Sequence, residues 1–87
     1  SLMQTTTTQT IFGIITDFLA SNPSPEEIIA YRLPEALQSQ AHALLARNTE
    51  GLLTFEEQQA MFDFMRIDEM MSMLKAKTRL KLSKMLE

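Results

Sequence analysis

The feature that most constrains this chain is the run Asn48-Thr49-Glu50-Gly51-Leu52-Leu53-Thr54-Phe55-Glu56-Glu57, which stops one helix and starts another within a few residues. Glycine tolerates the positive φ that closes a helix C-terminus. Thr54-x-x-Glu57 is a capping box, in which hydroxyl and carboxylate satisfy orphan backbone donors at a new N-terminus. A helical hairpin follows, with its turn centred on Gly51 and Thr54 as the N-cap. No glycine or proline occurs after Thr54. The last helix is therefore expected to run over 54–85, roughly 45 Å at about 1.5 Å per residue, whereas the helix before it, over 34–48, spans only about 22 Å.

Upstream, Ile11, Phe12, Ile15, Phe18 and Leu19 recur at spacings of three and four, the stripe of a helix buried on one face. The β-branched run Thr5–Thr8 is a poor helix former. It predicts a frayed start over residues 1–6, where Ser1-Leu2 ahead of Met3 reads as a vector remnant, and a first helix over 7–21 capped by Thr7 or Thr8. Ser21-Asn22-Pro23 ends that helix. Ser24-Pro25-Glu26-Glu27 is a second capping box with proline at the first helical position, opening a short helix over 25–32 that carries Ile28, Ile29 and Tyr31. Pro34 drives Leu33 out of the α region and separates it from the third helix, whose stripe is Leu37, Ala41, Leu44 and Leu45. The expected fold class is all-α: one domain over 7–87, a helical hairpin with a long C-terminal helix plus two shorter N-terminal helices.

Because the last helix outruns its hairpin partner, the side chains of its distal half need another cover, the first helix being a candidate for one side and a second copy of the chain for the other. Ala60, Phe64, Ile67, Met71, Leu74, Thr78, Leu82 and Met85 form one stripe on a helical wheel, while Phe62, Met73 and Leu80 fall on the opposite side. Met61, Met65, Met70, Met71, Met73 and Met85, six of the seven methionines, sit on this helix. Flexible thioethers fill cores and also suit adaptable grooves. A chain of 87 residues has a small core and often gains stability by associating. The expectation is a homodimer through the long helix, or a protein partner docked there, with Phe62, Ile67, Met70, Met71, Met73, Leu74, Leu80 and Leu82 at the interface.

Composition narrows the chemistry. With 45% hydrophobic and 22% charged residues the chain is of ordinary globular type. It has no cysteine and one histidine, which removes disulfides, thiol chemistry and most transition-metal sites. His42, between Ala41 and Ala43, is expected at the surface. Neither an apolar run near 18 residues nor a signal-peptide pattern is present, so the expectation is a cytoplasmic protein with no membrane span. Asp63, Asp68 and Glu69 offer carboxylates, but a thin hairpin seldom supplies the concave apolar site that acid–base chemistry needs. No catalytic residue is assigned, and a non-enzyme is expected.

The formal charge of −3 conceals an asymmetry: ten of the eleven acidic residues lie in 1–70 and five of the eight basic ones in 71–87. Lys75, Lys77, Arg79, Lys81 and Lys84 are candidates for contact with nucleic-acid phosphates, and the alternative role is a solvated helix end whose cations complement the dipole. They fall on two flanks of the wheel with no aromatic between them to stack on bases, which favours the second role. Counted from Ala46, the hairpin turn also half-matches an EF-hand loop, with Asn48, Glu50, Gly51, Leu53 and Glu57 at positions 3, 5, 6, 8 and 12. Ala46 replaces the first aspartate and no second loop is present. No calcium site, and no other metal or cofactor, is expected.

Taken together, Pro23-Ser24-Pro25-Glu26-Glu27-Ile28-Ile29-Ala30-Tyr31-Arg32, Leu44-Leu45-Ala46-Arg47-Asn48, Gly51-Leu52-Leu53-Thr54-Phe55-Glu56-Glu57 and Leu74-Lys75-Ala76-Lys77 resemble a family of small, uncharacterised all-helical bacterial proteins. That family is common in cyanobacteria and frequently encoded beside HNH-type endonucleases. The resemblance covers about residues 11–82 and leaves out the Thr-rich start and the segment after Leu82. It implies the helical fold and a partner or antitoxin-like role toward a neighbouring nuclease, and it supplies no catalytic residues.

Overall fold

The computed structural model describes residues 10–86. They form four helices, α1 (Ile11–Ala20), α2 (Pro25–Ala30), α3 (Glu35–Thr49) and α4 (Phe55–Met85), with no strand among the described residues. The expected frayed segment 1–6 and its remnant Ser1-Leu2 lie outside them. The N-cap of α1 is Thr10, whose hydroxyl accepts from the Gly13 N–H at 3.1 Å. It replaces the expected Thr7 or Thr8, which also lie outside the described residues. Capping falls to the threonine directly ahead of the apolar stripe, so the helix begins where burial begins.

Asn22, at φ 59, turns the chain out of α1 in the left-handed region, which asparagine tolerates better than most side chains. The capping box of α2 is closed in both directions: Ser24 N–H donates to Glu27 Oε1 at 2.8 Å and Glu27 N–H donates to Ser24 Oγ at 3.1 Å. This helix stops at Ala30, two residues before the expected end at 32. Tyr31 is extended (φ −60, ψ 136) because its groups are engaged elsewhere. Its ring stacks on Phe18 with centroids 4.1 Å apart, and its carbonyl accepts from Lys75 Nζ at 2.7 Å. Pro34 occupies the N-cap position of α3 without a side-chain cap, and Gln38 Nε2 donates to the Leu33 carbonyl at 2.7 Å.

α1, α2 and α3 each pack on α4, which makes the last helix the shared wall of the domain. The main cluster joins Ile11 and Ile15 of α1 to Ile67 and Met71 of α4, with Phe18, Leu19, Tyr31, Leu33, Phe64 and Leu74 packed around it. Leu44 on α3 and Met61 on α4 are the buried residues of the hairpin. Buried Thr78 is satisfied locally, its hydroxyl donating to the Leu74 carbonyl at 2.7 Å. The result is a plate of 50 × 38 × 18 Å. Its radius of gyration, 16.0 Å, exceeds the roughly 12 Å of a compact domain of this length.

This packing corrects part of the expected interface. Ile67 and Met71 are 3% and 6% exposed. They belong to the chain's own core, as does half-buried Leu74, because α1 and α2 cover the stretch of α4 that α3 cannot reach. Leu82 is half-buried on the same side of the helix, while Met85 is exposed and ends the stripe. Replacing Met71 with aspartate is expected to destabilise the fold by about 3 kcal/mol or more, through lost burial and a desolvated charge. The same change at exposed Met70 is expected to stay within about 1 kcal/mol. Urea unfolding monitored by circular dichroism measures both.

Candidate functional site

Two places concentrate polar or apolar groups in a way the core does not require: the α3–α4 turn and the outer face of α4. In the turn, Gly51 takes φ 71. The Leu52 N–H donates to the Arg47 carbonyl and the Gly51 N–H to the Asn48 carbonyl, both at 3.0 Å, the paired bonds of a Schellman motif. Thr54 caps α4, its hydroxyl accepting from the Glu57 N–H at 3.1 Å and its own N–H donating to Glu57 Oε1 at 3.0 Å. Arg47 ties both helix ends together, donating to Glu57 Oε1 at 2.9 Å and to the Leu52 carbonyl at 3.1 Å. The Thr54 N–H above all holds the Glu57 carboxyl below its ordinary range, opposed by desolvation and aided by the Arg47 charge and the Thr54 hydroxyl.

Ala46 and Asn48, which would open an EF-hand loop, lie within α3, and Glu57 is occupied by its cap and by Arg47. No group of three or more His, Asp or Glu side chains is placed to hold a metal among the described residues. Arg47 was not legible as a turn residue from sequence. The available signal was a basic residue in the last turn of a helix, ten positions ahead of the capping glutamate.

The outer face of α4 is built by the same 3.6-residue periodicity as the core face, rotated to the far side. Phe62, Met73 and Leu80, expected there, are 40%, 57% and 57% exposed. Phe55, at 74% exposed, extends the stripe toward the turn, and Met65, at 53%, stands beside it between Phe62 and Met73. Sequence reasoning passed over Phe55, although it stands seven residues before Phe62. A shallow depression of about 330 Å³ between Phe62, Met65, Arg66 and Glu69 marks the middle of this face. Neither Arg66 nor Glu69 takes part in an ion pair among the described residues. Met70 is exposed on the flank.

The basic end is divided. Lys75 is held by the Tyr31 carbonyl, whereas Lys77, Arg79, Lys81 and Lys84 are exposed, Lys77, Lys81 and Lys84 along one flank of the helix and Arg79 apart from them. A groove of about 310 Å³ between α3 and α4 has Leu33, Ala41, Leu45, Met61 and Phe64 on its walls, and His42, Gln38 and Asp68 are its polar groups. His42 is exposed, as expected. Burial pushes the Tyr31 phenol up, in keeping with its stacking on Phe18. No helix among the described residues is long and apolar enough to cross a membrane. The chain matches no protein-family model, no curated protein and no solved structure.

The lowered pKa of Glu57 fixes the sign of a pH effect. Its contribution to stability is present above the ordinary carboxylate range and is lost as the pH falls through the lowered value. Glu57→Gln is therefore expected to be less stable than the parent at neutral pH and to converge with it in acid, as read from thermal unfolding across pH. Calcium is expected to bind no tighter than about 10⁻⁵ M, the weak end of regulatory sensors, by calorimetric titration.

Proposed function

We propose that this chain is a non-enzymatic, cytoplasmic protein–protein interaction module that self-associates through the outer face of α4. The observation that supports it is the exposed apolar stripe Phe55, Phe62, Met73 and Leu80, with Met65 beside it, on the side of α4 away from the core. Large exposed apolar side chains recurring along one face of a small domain point to a place that another surface covers. Methionines on and beside the stripe allow such a surface to adapt to its partner. The family resemblance adds a further protein docked on the dimer, an HNH-type nuclease encoded nearby, toward which the module acts in an antitoxin-like way.

Light scattering at micromolar concentration is expected to give twice the 9.9 kDa of one chain. The mass is expected to hold in salt, since burial-driven contacts do not weaken with ionic strength as phosphate contacts do. A folded chain with a monomer mass overturns self-association. Copurifying nucleic acid that is stripped near about 200 mM salt, without a stoichiometric protein, shifts the function to the basic end of α4 instead.

A further inference from the structure

The outer face of α4 is arranged as a palindrome. Phe55, Phe62, Arg66, Glu69, Met73 and Leu80 are separated by 7, 4, 3, 4 and 7 residues. At about 100° per residue these six lie within a sector of about 60° of the helix circumference. All six are exposed. The row is symmetric about the point between Ile67 and Asp68. Turning a second copy end for end about that point places Phe55 opposite the partner's Leu80, Phe62 opposite Met73, and Arg66 opposite Glu69, each match occurring twice.

Charge along the helix distinguishes this arrangement from the others. On the turn side of that point α4 carries Glu56, Glu57, Asp63 and Arg66, a net negative charge, and on the far side Asp68 and Glu69 are outweighed by the five cations from Lys75 to Lys84. Antiparallel pairing lays each half over the opposite charge. Parallel pairing in register stacks Arg66 on Arg66, Glu69 on Glu69 and the basic ends on one another, and like charges facing each other oppose association. The depression between Phe62, Arg66 and Glu69 lies at the centre of the palindrome, where the partner's side chains would enter.

Building on the self-association proposed above, we infer that the occupant of this face is a second copy of the chain, packed antiparallel along α4 over about 38 Å, with two symmetry-related Arg66–Glu69 pairs setting the register. The apolar pairs on both sides supply burial, and the central polar layer selects direction and alignment. A polar residue at one layer of a helix–helix seam acts in the same way in coiled coils. The pairing is isologous, as a two-fold dimer requires, and closes without leaving a free edge.

The test uses the natural absence of cysteine in the chain. Phe62→Cys and Met73→Cys are made separately in the full chain, both at exposed positions, with helicity checked by circular dichroism. Mild oxidation of an equimolar mixture is expected to give a disulfide-linked heterodimer, at least about tenfold more than either variant gives alone. Arg66→Glu and Glu69→Arg are each expected to weaken self-association about tenfold or more, and mixing the two is expected to restore it as a heterodimer, because both cross pairs are then of opposite sign. A dimer mass with Phe62→Cys linking efficiently to itself, or with no link in any combination, overturns the antiparallel register and leaves self-association standing. A monomer mass for the parent chain overturns both.

Discussion

The contact of Ile11 and Ile15 with Ile67 and Met71 is the interaction on which the rest of the structure depends. Fully burying such a side chain is worth about 1.5–3 kcal/mol, and this cluster holds four of them. The 10 residues of α1 and 6 of α2 are too few to be helical on their own in water, where marginal stability begins at roughly 12–15 residues. Their caps set where they start, but packing on α4 is what keeps them folded. Tyr31 links the two halves of that packing by stacking on Phe18 and giving its carbonyl to Lys75. One cation of the basic end is thereby committed to the fold.

A wall shared by three helices has one inner side, and this has consequences for the other. Ile67, Met71 and Thr78 lie on the inner side and are all under a tenth exposed, while Phe62, Met73 and Leu80, rotated away from them, are 40–57% exposed. In a thicker domain a further helix would cover them. Here the plate is 18 Å thick, about two helix diameters at roughly 10 Å each, so no part of the described chain is left to do so. The exposed stripe is a consequence of a long helix in a short chain, and its regular spacing makes that consequence usable by a partner.

Both helix-capping boxes, the Gly51 turn and the length of α4 were legible in the sequence because each rests on interactions within four or five residues. The separation of α4 into two apolar faces was legible for the same reason. What covers each face was not, since that depends on where α1 and α2 land. Ile67, Met71 and Leu74 read as interface because the sequence does not say which of the two faces the first helix covers. The early end of α2 was hidden likewise: Tyr31 leaves the helix for partners 13 and 44 residues away, Phe18 and Lys75. Arg47 was hidden by its distance from Glu57, although each residue alone suits a helix end.

The turn and the outer face share an origin. Phe55 is the first helical residue of α4 and directly follows its cap, so the bonds among Thr54, Glu57 and Arg47 set the angular start from which every later side chain is counted. A helix begun one residue later would keep its periodicity but lose Phe55 from the outer row and slacken the tie to α3. The pinned start therefore holds the inner row against α1 and α2 and the outer row toward solvent with the same set of contacts. The two-fold pairing proposed for that face would depend on this start, because an isologous contact repeats any error in one copy in the other. A Schellman motif, a capping box and one arginine all act on this short turn to fix that start.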